Sequence, residues 1–384
     1  MKIAIVSAGL GNIWRGYERF SHELFHLVKD DLDITLFKGG GSLGIREVVI
    51  PNLRRDGAVR LWPLTLKDFP RWNPYYLEVF SFFLSLVPHL KRGNFEIVHF
   101  TDCPLANLFH HSKKFFGLRC KTIWTNGNPV IDQSCVKVDL LHQLTPWHVQ
   151  SLIAYGIPEH KIAMVPFGVH AKKFESDIDA VQLKKRYGLP EHKRIILAVS
   201  AINRAHKRVD YLIDEVSRLG SDYFLLVAGH MEDSSLELEA SRRLGGRFKF
   251  VHVPFGEVDL LYRLSDIFVM CSLDEGFGLA AVEAMFARIP LVLHQSPHNE
   301  WLTGDRRCLT DLSLGGALSR KITETFNQPT TTSEIVDRNY RHVRERFEWS
   351  ILKEQYLDLY ERVVGTQRHY KFANVPEPAL SEEK

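Results

Sequence analysis

Residues Ser272–Pro290 read SLDEGFGLAAVEAMFARIP. An apolar run ending near Cys271, with Ile267–Met270 as its strand, precedes the stretch, and a second run, Pro290–Leu293, follows it. Between them a Gly-Phe-Gly turn leads into a helical pattern over Leu279–Arg288. Strand, turn, helix and strand make a βαβ unit, and such units set strands parallel with helices on the sheet faces. Gly276 and Gly278 let the backbone approach a ligand closely. The first amides of the helix, at Leu279, point outward at the positive end of the helix dipole, where a diphosphate is the natural occupant. Glu275, just before the helix, is placed to reach hydroxyls of a bound sugar. Glu283, about one turn in, is placed to accept from a ribose diol. The plainer reading is a helix start with an ordinary exposed acid.

Working outward, Arg194–Val199 (RIILAV), Tyr223–Ala228 (YFLLVA) and Phe248–Val251 are further strand patterns, with a helix over Val209–Leu219 between them. They complete one doubly wound sheet. Another set comes earlier. Lys2–Ser7 (KIAIVS) is a buried-strand pattern, followed by the loop Ala8–Gly16 and a helix opening near Tyr17 with Phe20, Leu24, Leu27 and Val28 at helical spacing. Asp33–Phe37, Glu96–Phe100, Lys121–Thr125 and Ile162–Val165 follow as short runs. The break between the sets falls near Pro166–Asp179, which is charged and aperiodic. An amphipathic helix over Phe347–Val364 comes too late for the second sheet to need it, and the polar tail from Thr366 is expected to be disordered. The expected organisation is α/β: two Rossmann-like doubly wound domains, 1–165 and 166–346, facing a central cleft, with 347–364 crossing back to the first and 365–384 as tail.

Composition agrees with a globular enzyme. The chain has 384 residues, enough for two domains. Its 49 Lys and Arg against 46 Asp and Glu leave a charge of +3, too mild to argue for nucleic acid. Five scattered cysteines without a CxxC pair suggest reduced thiols and lack zinc-ligand spacing. No apolar stretch approaches the 20 or so residues of a spanning helix, and the expectation is a cytoplasmic protein, either soluble or peripheral at the cytoplasmic membrane face.

Ala198–Asp210 (AVSAINRAHKRVD) places Arg204 and Lys207 in the loop after a strand, where two cations can neutralise a leaving diphosphate without a metal. The alternative is a solvated basic turn. Gly9–Gly16 (GLGNIWRG) has a partial glycine pattern but lacks GxGxxG, which argues against a nicotinamide dinucleotide.

Together these residues resemble the family 4 retaining glycosyltransferases of the GT-B fold, also called glycosyl transferases group 1. Glu275-Gly-Phe-Gly-Leu with Glu283 is similar to the family's E-x7-E motif, and Arg204 with Lys207 to its basic loop. Val165-Pro-Phe-Gly-Val-His resembles the interdomain segment. Phe255-Gly-Glu with Tyr262 and Ser265-Asp266 resembles the stretch ahead of the acidic motif. Glu300-Trp-Leu-Thr-Gly resembles a glycine-terminated segment, and Phe347-Glu-Trp the C-terminal F-x-W motif. The resemblance implies a nucleoside-diphosphate-sugar donor on the second domain and a carbohydrate or glycolipid acceptor on the first. It implies Arg204 and Lys207 on the diphosphate, Glu275 on the donor sugar and Glu283 on the ribose. Gly16 would lie near the donor phosphates. Base contacts are expected from Val253–Val258, Val253 and Phe255 among them. Catalysis would be metal-independent, with no cofactor. Where the family has a histidine, Trp124-Thr-Asn-Gly puts Asn126. That departure keeps open a non-catalytic, glycosyltransferase-like binding subunit. A GT-B nucleotide-sugar epimerase is the other alternative.

Two regions carry further expectations. Trp62, Trp72 and the Asn126–Asp132 turn are candidate acceptor contacts, with burial in the domain core the competing view for the tryptophans. Tyr76–Leu90 with Lys91-Arg92, and Leu108–Arg119 (LFHHSKKFFGLR), are apolar and basic. They suit either an anionic bilayer or core helices with solvated basic ends. The eighteen histidines look dispersed.

Overall fold

The computed structural model describes residues 1–57, 73–131, 137–175 and 178–365. Trp62, Trp72 and Asp132, and the tail from Thr366, lie outside the described residues. The chain divides into two compact units: Met1–Phe167 together with the chain from Leu352 onward, and Gly168–Ile351.

In the first unit the elements run β1 (Lys2–Ser7), α1 (Gly16–Val28), β2 (Asp33–Lys38), β3 (Glu47–Val49), α2 (Pro74–Gly93), β4 (Ile97–Phe100), α3 (Cys103–Ser112), β5 (Lys121–Asn126), β6 (Leu140–Gln143), α4 (Pro146–Ala154) and β7 (Ile162–Met164). The sheet order is β3-β2-β1-β4-β5-β6-β7, parallel throughout. Parallel strands covered on both faces read as unbroken apolar runs, and Ile3–Val6 and Ile97–Phe100 are buried along their whole lengths. α1 opens where the Arg15 backbone N–H donates to Glu18 Oε2 at 3.2 Å, half of a capping box. It then buries Phe20, Leu24, Phe25 and Val28. β3 and β6 are strands that the sequence pattern does not announce. Cys103 corrects the expectation of free thiols, since it is disulfide-bonded. Cys120, Cys271 and Cys308 are free and buried.

A buried polar chain crosses this sheet. Tyr360 Oη lies 2.8 Å from His99 Nδ1, His99 Nε2 2.6 Å from Thr125 Oγ1, Thr125 Oγ1 2.8 Å from His142 Nδ1, and His142 Nε2 2.9 Å from the Val165 carbonyl. A carbonyl only accepts, so His142 Nε2 carries the proton and Nδ1 accepts from Thr125. The Thr125 hydroxyl donates once, so it accepts from His99 Nε2–H, and His99 Nδ1 accepts from Tyr360. Each group is satisfied with both rings neutral. Burial favours that state, holding His142 down at about 4 and His99 well below its ordinary value. Tyr356, one turn before Tyr360, donates to the Pro166 carbonyl at 2.8 Å.

The second unit runs α5 (Ala180–Arg186), β8 (Arg194–Val199), α6 (Val209–Ser217), β9 (Tyr223–Ala228), α7 (Ser235–Leu244), β10 (Phe248–Val251), α8 (Val258–Arg263), β11 (Ile267–Met270), α9 (Leu279–Phe286), β12 (Leu291–His294), α10 (Pro297–Thr303), β13 (Leu309–Thr310), α11 (Ala317–Asn327) and α12 (Pro329–Arg346). Its sheet, β10-β9-β8-β11-β12-β13, is also parallel. α6, α7 and α11 supply Ile213, Val216, Leu236, Ala240, Leu318 and Ile322 to one core. Glu215 is fully buried, and its carboxylate accepts from the Gly316 and Ser319 backbone amides, a negative charge at the positive end of α11.

α13 (Trp349–Val364) ends the described chain. Its start belongs to the second unit. Val169 N–H donates to the Phe347 carbonyl at 2.7 Å, and Trp349 N–H donates to the Val169 carbonyl at 3.3 Å. The Trp349 indole, fully buried, lies against Gly168 so closely that a Cβ there would stand 2.3 Å from its Cδ2. Gly168-Val169 and Phe347-Glu-Trp349, about 180 residues apart in the chain, thus pack together within the second unit.

Two outcomes follow for stability. Tyr360→Phe leaves the buried His99 Nδ1 without its donor, and thermal unfolding should register a loss of about 1–3 kcal/mol. Gly168→Ala forces backbone and indole apart; it should lower the melting temperature by more than the Tyr360 change, with circular dichroism melts as the readout.

Candidate functional site

The loops after β8 and β11, neighbouring paired strands, meet at one ion pair. Asn203 shapes the first loop. Its Oδ1 accepts from the backbone amides of His206 at 3.2 Å and Lys207 at 2.9 Å, and its Nδ2 donates to Glu232 Oε2 at 2.9 Å. This turns the loop so that Lys207 Nζ donates to Glu275 Oε1 at 2.5 Å. His206 Nε2 is 3.8 Å from the same oxygen. Arg208 takes a left-handed backbone, φ 49°, at the start of α6. Its guanidinium donates to the carbonyls of Cys271 at 3.2 Å and Leu312 at 2.8 Å, fastening the loop to the ends of its neighbours. Burial alone would raise the Glu275 carboxyl. The His206 ring close by, with the charge and hydrogen bond of Lys207, outweighs it and holds the carboxyl at about 2.

Arg204 is not brought to this pair. Its guanidinium donates to Asp233 Oδ2 at 2.9 Å and pairs with Glu239 Oε2 at 2.7 Å, with Ser235 Oγ at 3.2 Å. The two basic residues of the motif therefore face different partners. Asp233 and Glu239 lie 29 and 35 positions further on, at and within α7, where no local pattern joins them to Arg204.

On the other side of Glu275, Gly276, Phe277 and Gly278 are buried, and Leu279 is half-buried. Gly278 precedes α9 with φ +87°, and a Cβ there would lie 2.9 Å from Leu302 Cδ2. Backbone conformation and space both demand glycine. The Gly278 carbonyl accepts from the amides of Ala281 and Val282, so the helix ladder starts beyond Leu279. The Phe277 ring meets Phe347 edge-on at 5.6 Å, and its carbonyl faces His298 Nε2 at 3.2 Å. Glu283 is buried, and its Oε2 accepts from the Tyr262 hydroxyl at 2.9 Å. Val253 is half-buried beyond β10. Phe255 opens the short turn Phe255–Glu257, and its side chain lies outside the described residues. Among the described residues no three His, Cys, Asp or Glu side chains are grouped to hold a metal.

In the first unit, a methyl group at Gly16 would meet open space. Asn126 is fully buried at the end of β5; its Nδ2 donates to Gln143 Oε1 at 3.3 Å and its Oδ1 accepts from the Asn128 amide at 3.1 Å. Nearby is a cluster that the sequence reading missed. Tyr75 Oη donates to Asp102 Oδ1 at 2.9 Å, Arg55 Nε donates to Glu78 Oε2 at 2.5 Å, and Arg55 Nη2 stands 3.9 Å from Glu18 Oε1. Two buried carboxylates, Glu78 and Glu18, thus flank one guanidinium, and a third, Asp102, is held beside them by Tyr75. Burial, then the charge of Asp102, pushes Glu18 up to about 7, and burial also raises Asp102 and Glu78. The members come from α1, α2, the end of β4 and the segment after β3, so no spacing in the chain groups them.

Residues 179–340 match the family model described as glycosyl transferases group 1. An O-antigen chain mannosyltransferase from Salmonella typhimurium is 26% identical, over 67% of this chain and 69% of its own. Among solved structures, sucrose-phosphate synthase from Thermosynechococcus elongatus superposes with a TM-score of 0.77 at 15% identity, covering 95% of this chain and 100% of its own. Anabaena HepE, solved in complex with UDP-glucose, gives 0.75 at 14% identity, covering 94% and 99%. The fold is GT-B, two Rossmann-like domains. The protein is a glycosyltransferase, with the group 1 match on residues 179–340.

The carboxylate cluster makes a pH prediction. Glu18 has a folded value of about 7, above its ordinary range, so the folded state binds the extra proton and stability at this site falls as pH rises from about 4.5 through 7. Glu18→Gln removes that dependence. Relative to wild type, the variant should melt higher at pH 7.5 than at pH 5, by up to about 3 kcal/mol in the difference. Parallel curves at both pH values would contradict the assignment.

Proposed function

We propose that this glycosyltransferase moves a sugar from a nucleoside-diphosphate donor to an acceptor hydroxyl with retention at the anomeric carbon, in glycan, polysaccharide or glycolipid biosynthesis. The observation that carries the reading is the Lys207–Glu275 pair at the amino end of α9, beside the Gly276–Leu279 turn. Amides at a helix start and a fixed ammonium suit a diphosphate. Glu275, ionised at neutral pH, is suited to accept hydroxyl hydrogens of the transferred sugar. Glu283 is assigned to the ribose and Val253 and Phe255 to the base. The first unit is assigned to the acceptor. The binding of UDP-glucose by HepE, a structural relative, supports the donor class.

The departing diphosphate accepts the proton of the incoming hydroxyl, with Lys207 and the turn amides stabilising its growing charge. Arg204 is given the smaller role, because its guanidinium turns to Asp233 and Glu239 and away from the Lys207–Glu275 pair. No metal is assigned a step.

The test is turnover with a panel of nucleotide sugars, measuring released nucleoside diphosphate, epimerised donor and glycosylated product. Glu275→Gln should abolish transfer while the variant stays folded, with a lowered melting temperature because Lys207 loses its charged partner. Lys207→Ala should lower kcat by about 10²–10³-fold, because the leaving diphosphate carries more charge in the transition state than in the bound donor. Arg204→Ala should cost less than Lys207→Ala. EDTA should change little. Wild-type turnover by Glu275→Gln, or activity lost in EDTA and restored by magnesium, would overturn the reading.

A further inference from the structure

The outer face of α2 is apolar where solvent-facing helices are polar. Tyr76, Phe80 and Leu84 stand at i, i+4 and i+8 and are 44%, 49% and 45% exposed. Pro88 continues the stripe at i+12, exposed, and Lys91 and Arg92 close it. The inner face is complete without them: Val79, Phe82, Phe83, Leu86, Val87 and Leu90 fill the core. The stripe is therefore surplus to folding.

The neighbouring element extends the face. Phe83 meets Phe109 of α3 edge-on at 5.1 Å and Phe116, beyond that helix, at 6.0 Å. Phe115, beside Phe116, is 85% exposed. Around it His110, His111, Lys114 and Arg119 are exposed.

Charge on this region is one-sided. From residue 73 to 121 there are six Lys and Arg: Lys91, Arg92, Lys113, Lys114, Arg119 and Lys121. The acids are Glu78, Glu96 and Asp102, of which Glu78 and Asp102 are buried. Lys113 and Lys121 pair with Asp139. Among the described residues no carboxylate pairs with Lys91, Arg92, Lys114 or Arg119.

We propose that the face formed by α2 and the Leu108–Arg119 segment docks on an anionic lipid bilayer. Aromatic and aliphatic side chains enter the boundary between headgroups and acyl chains while the surrounding cations meet lipid phosphates. A second copy of this chain fits less well, because like-charged faces repel. No helix among the described residues is long and apolar enough to cross a membrane, so the attachment is peripheral. The inference does not depend on the donor or the reaction.

The experiment is co-sedimentation of the full chain with vesicles of phosphatidylcholine, and of phosphatidylcholine with phosphatidylglycerol at roughly three to one. Binding should need the anionic lipid and fall steeply with salt. Lys91→Gln with Arg92→Gln should weaken partitioning by roughly 30-fold, at about fivefold per cation. Phe80→Ser with Leu84→Ser should abolish it, with melting and donor turnover unchanged in both. Lys185→Gln with Arg242→Gln, basic residues on the second unit, should bind as wild type. Three results would overturn the proposal: equal sedimentation with uncharged vesicles or none with either, the same loss in the second-unit variant, or a dimer in sedimentation velocity that the Phe80 and Leu84 changes convert to monomer.

Discussion

The ion pair between Lys207 and Glu275 ties together the loops that leave two adjacent strands, β8 and β11, and the rest of the donor-side geometry is arranged around it. A carboxylate this deeply placed is costly unless paired and hydrogen-bonded. Asn203 holds the backbone from which Lys207 reaches, Arg208 fastens that loop to Cys271 and Leu312, and Gly278 allows the turn that brings α9 up beside Glu275. Each uses backbone geometry to put one charge opposite another. The price is a strained left-handed arginine at position 208.

The first unit handles buried polarity differently. Its histidines, His99 and His142, are neutral links in a hydrogen-bond chain that leaves no donor or acceptor unmatched. Its carboxylates Glu18, Glu78 and Asp102 are the opposite case, three acids in one cluster with a single guanidinium on two of them, and protonation of Glu18 relieves the repulsion. One network is stabilised by neutrality and the other is sensitive to pH near 7.

Much of the fold was legible because parallel strands buried on both faces are plain apolar runs. KIAIVS, RIILAV and YFLLVA read as strands and are strands, within a residue. LLHQ at Leu140–Gln143 did not, because its second half is polar, satisfied by Thr125, Val165 and Asn126 across the sheet. Glu47–Val49 is too short to show a pattern. Within the candidate site, the Gly-Phe-Gly turn and its acids were readable because turn, cap and helix are contiguous. The diverging fates of Arg204 and Lys207 were not, because Asp233, just ahead of α7, and Glu239 within it decide them. His99 and His142 looked scattered for the same reason: strand pairing, not spacing, brings them together.

The central claim is that Lys207 and the start of α9 receive a diphosphate. The most direct measurement is a thermal-shift titration of wild type, Lys207→Ala and Arg204→Ala with UDP, GDP, ADP and dTDP. A ligand that binds only the folded state raises its melting temperature. The account predicts that at least one nucleoside diphosphate stabilises wild type, that Arg204→Ala retains most of the shift, and that Lys207→Ala loses most of it. An undiminished shift in Lys207→Ala, or no shift in wild type with any of the four, would contradict it.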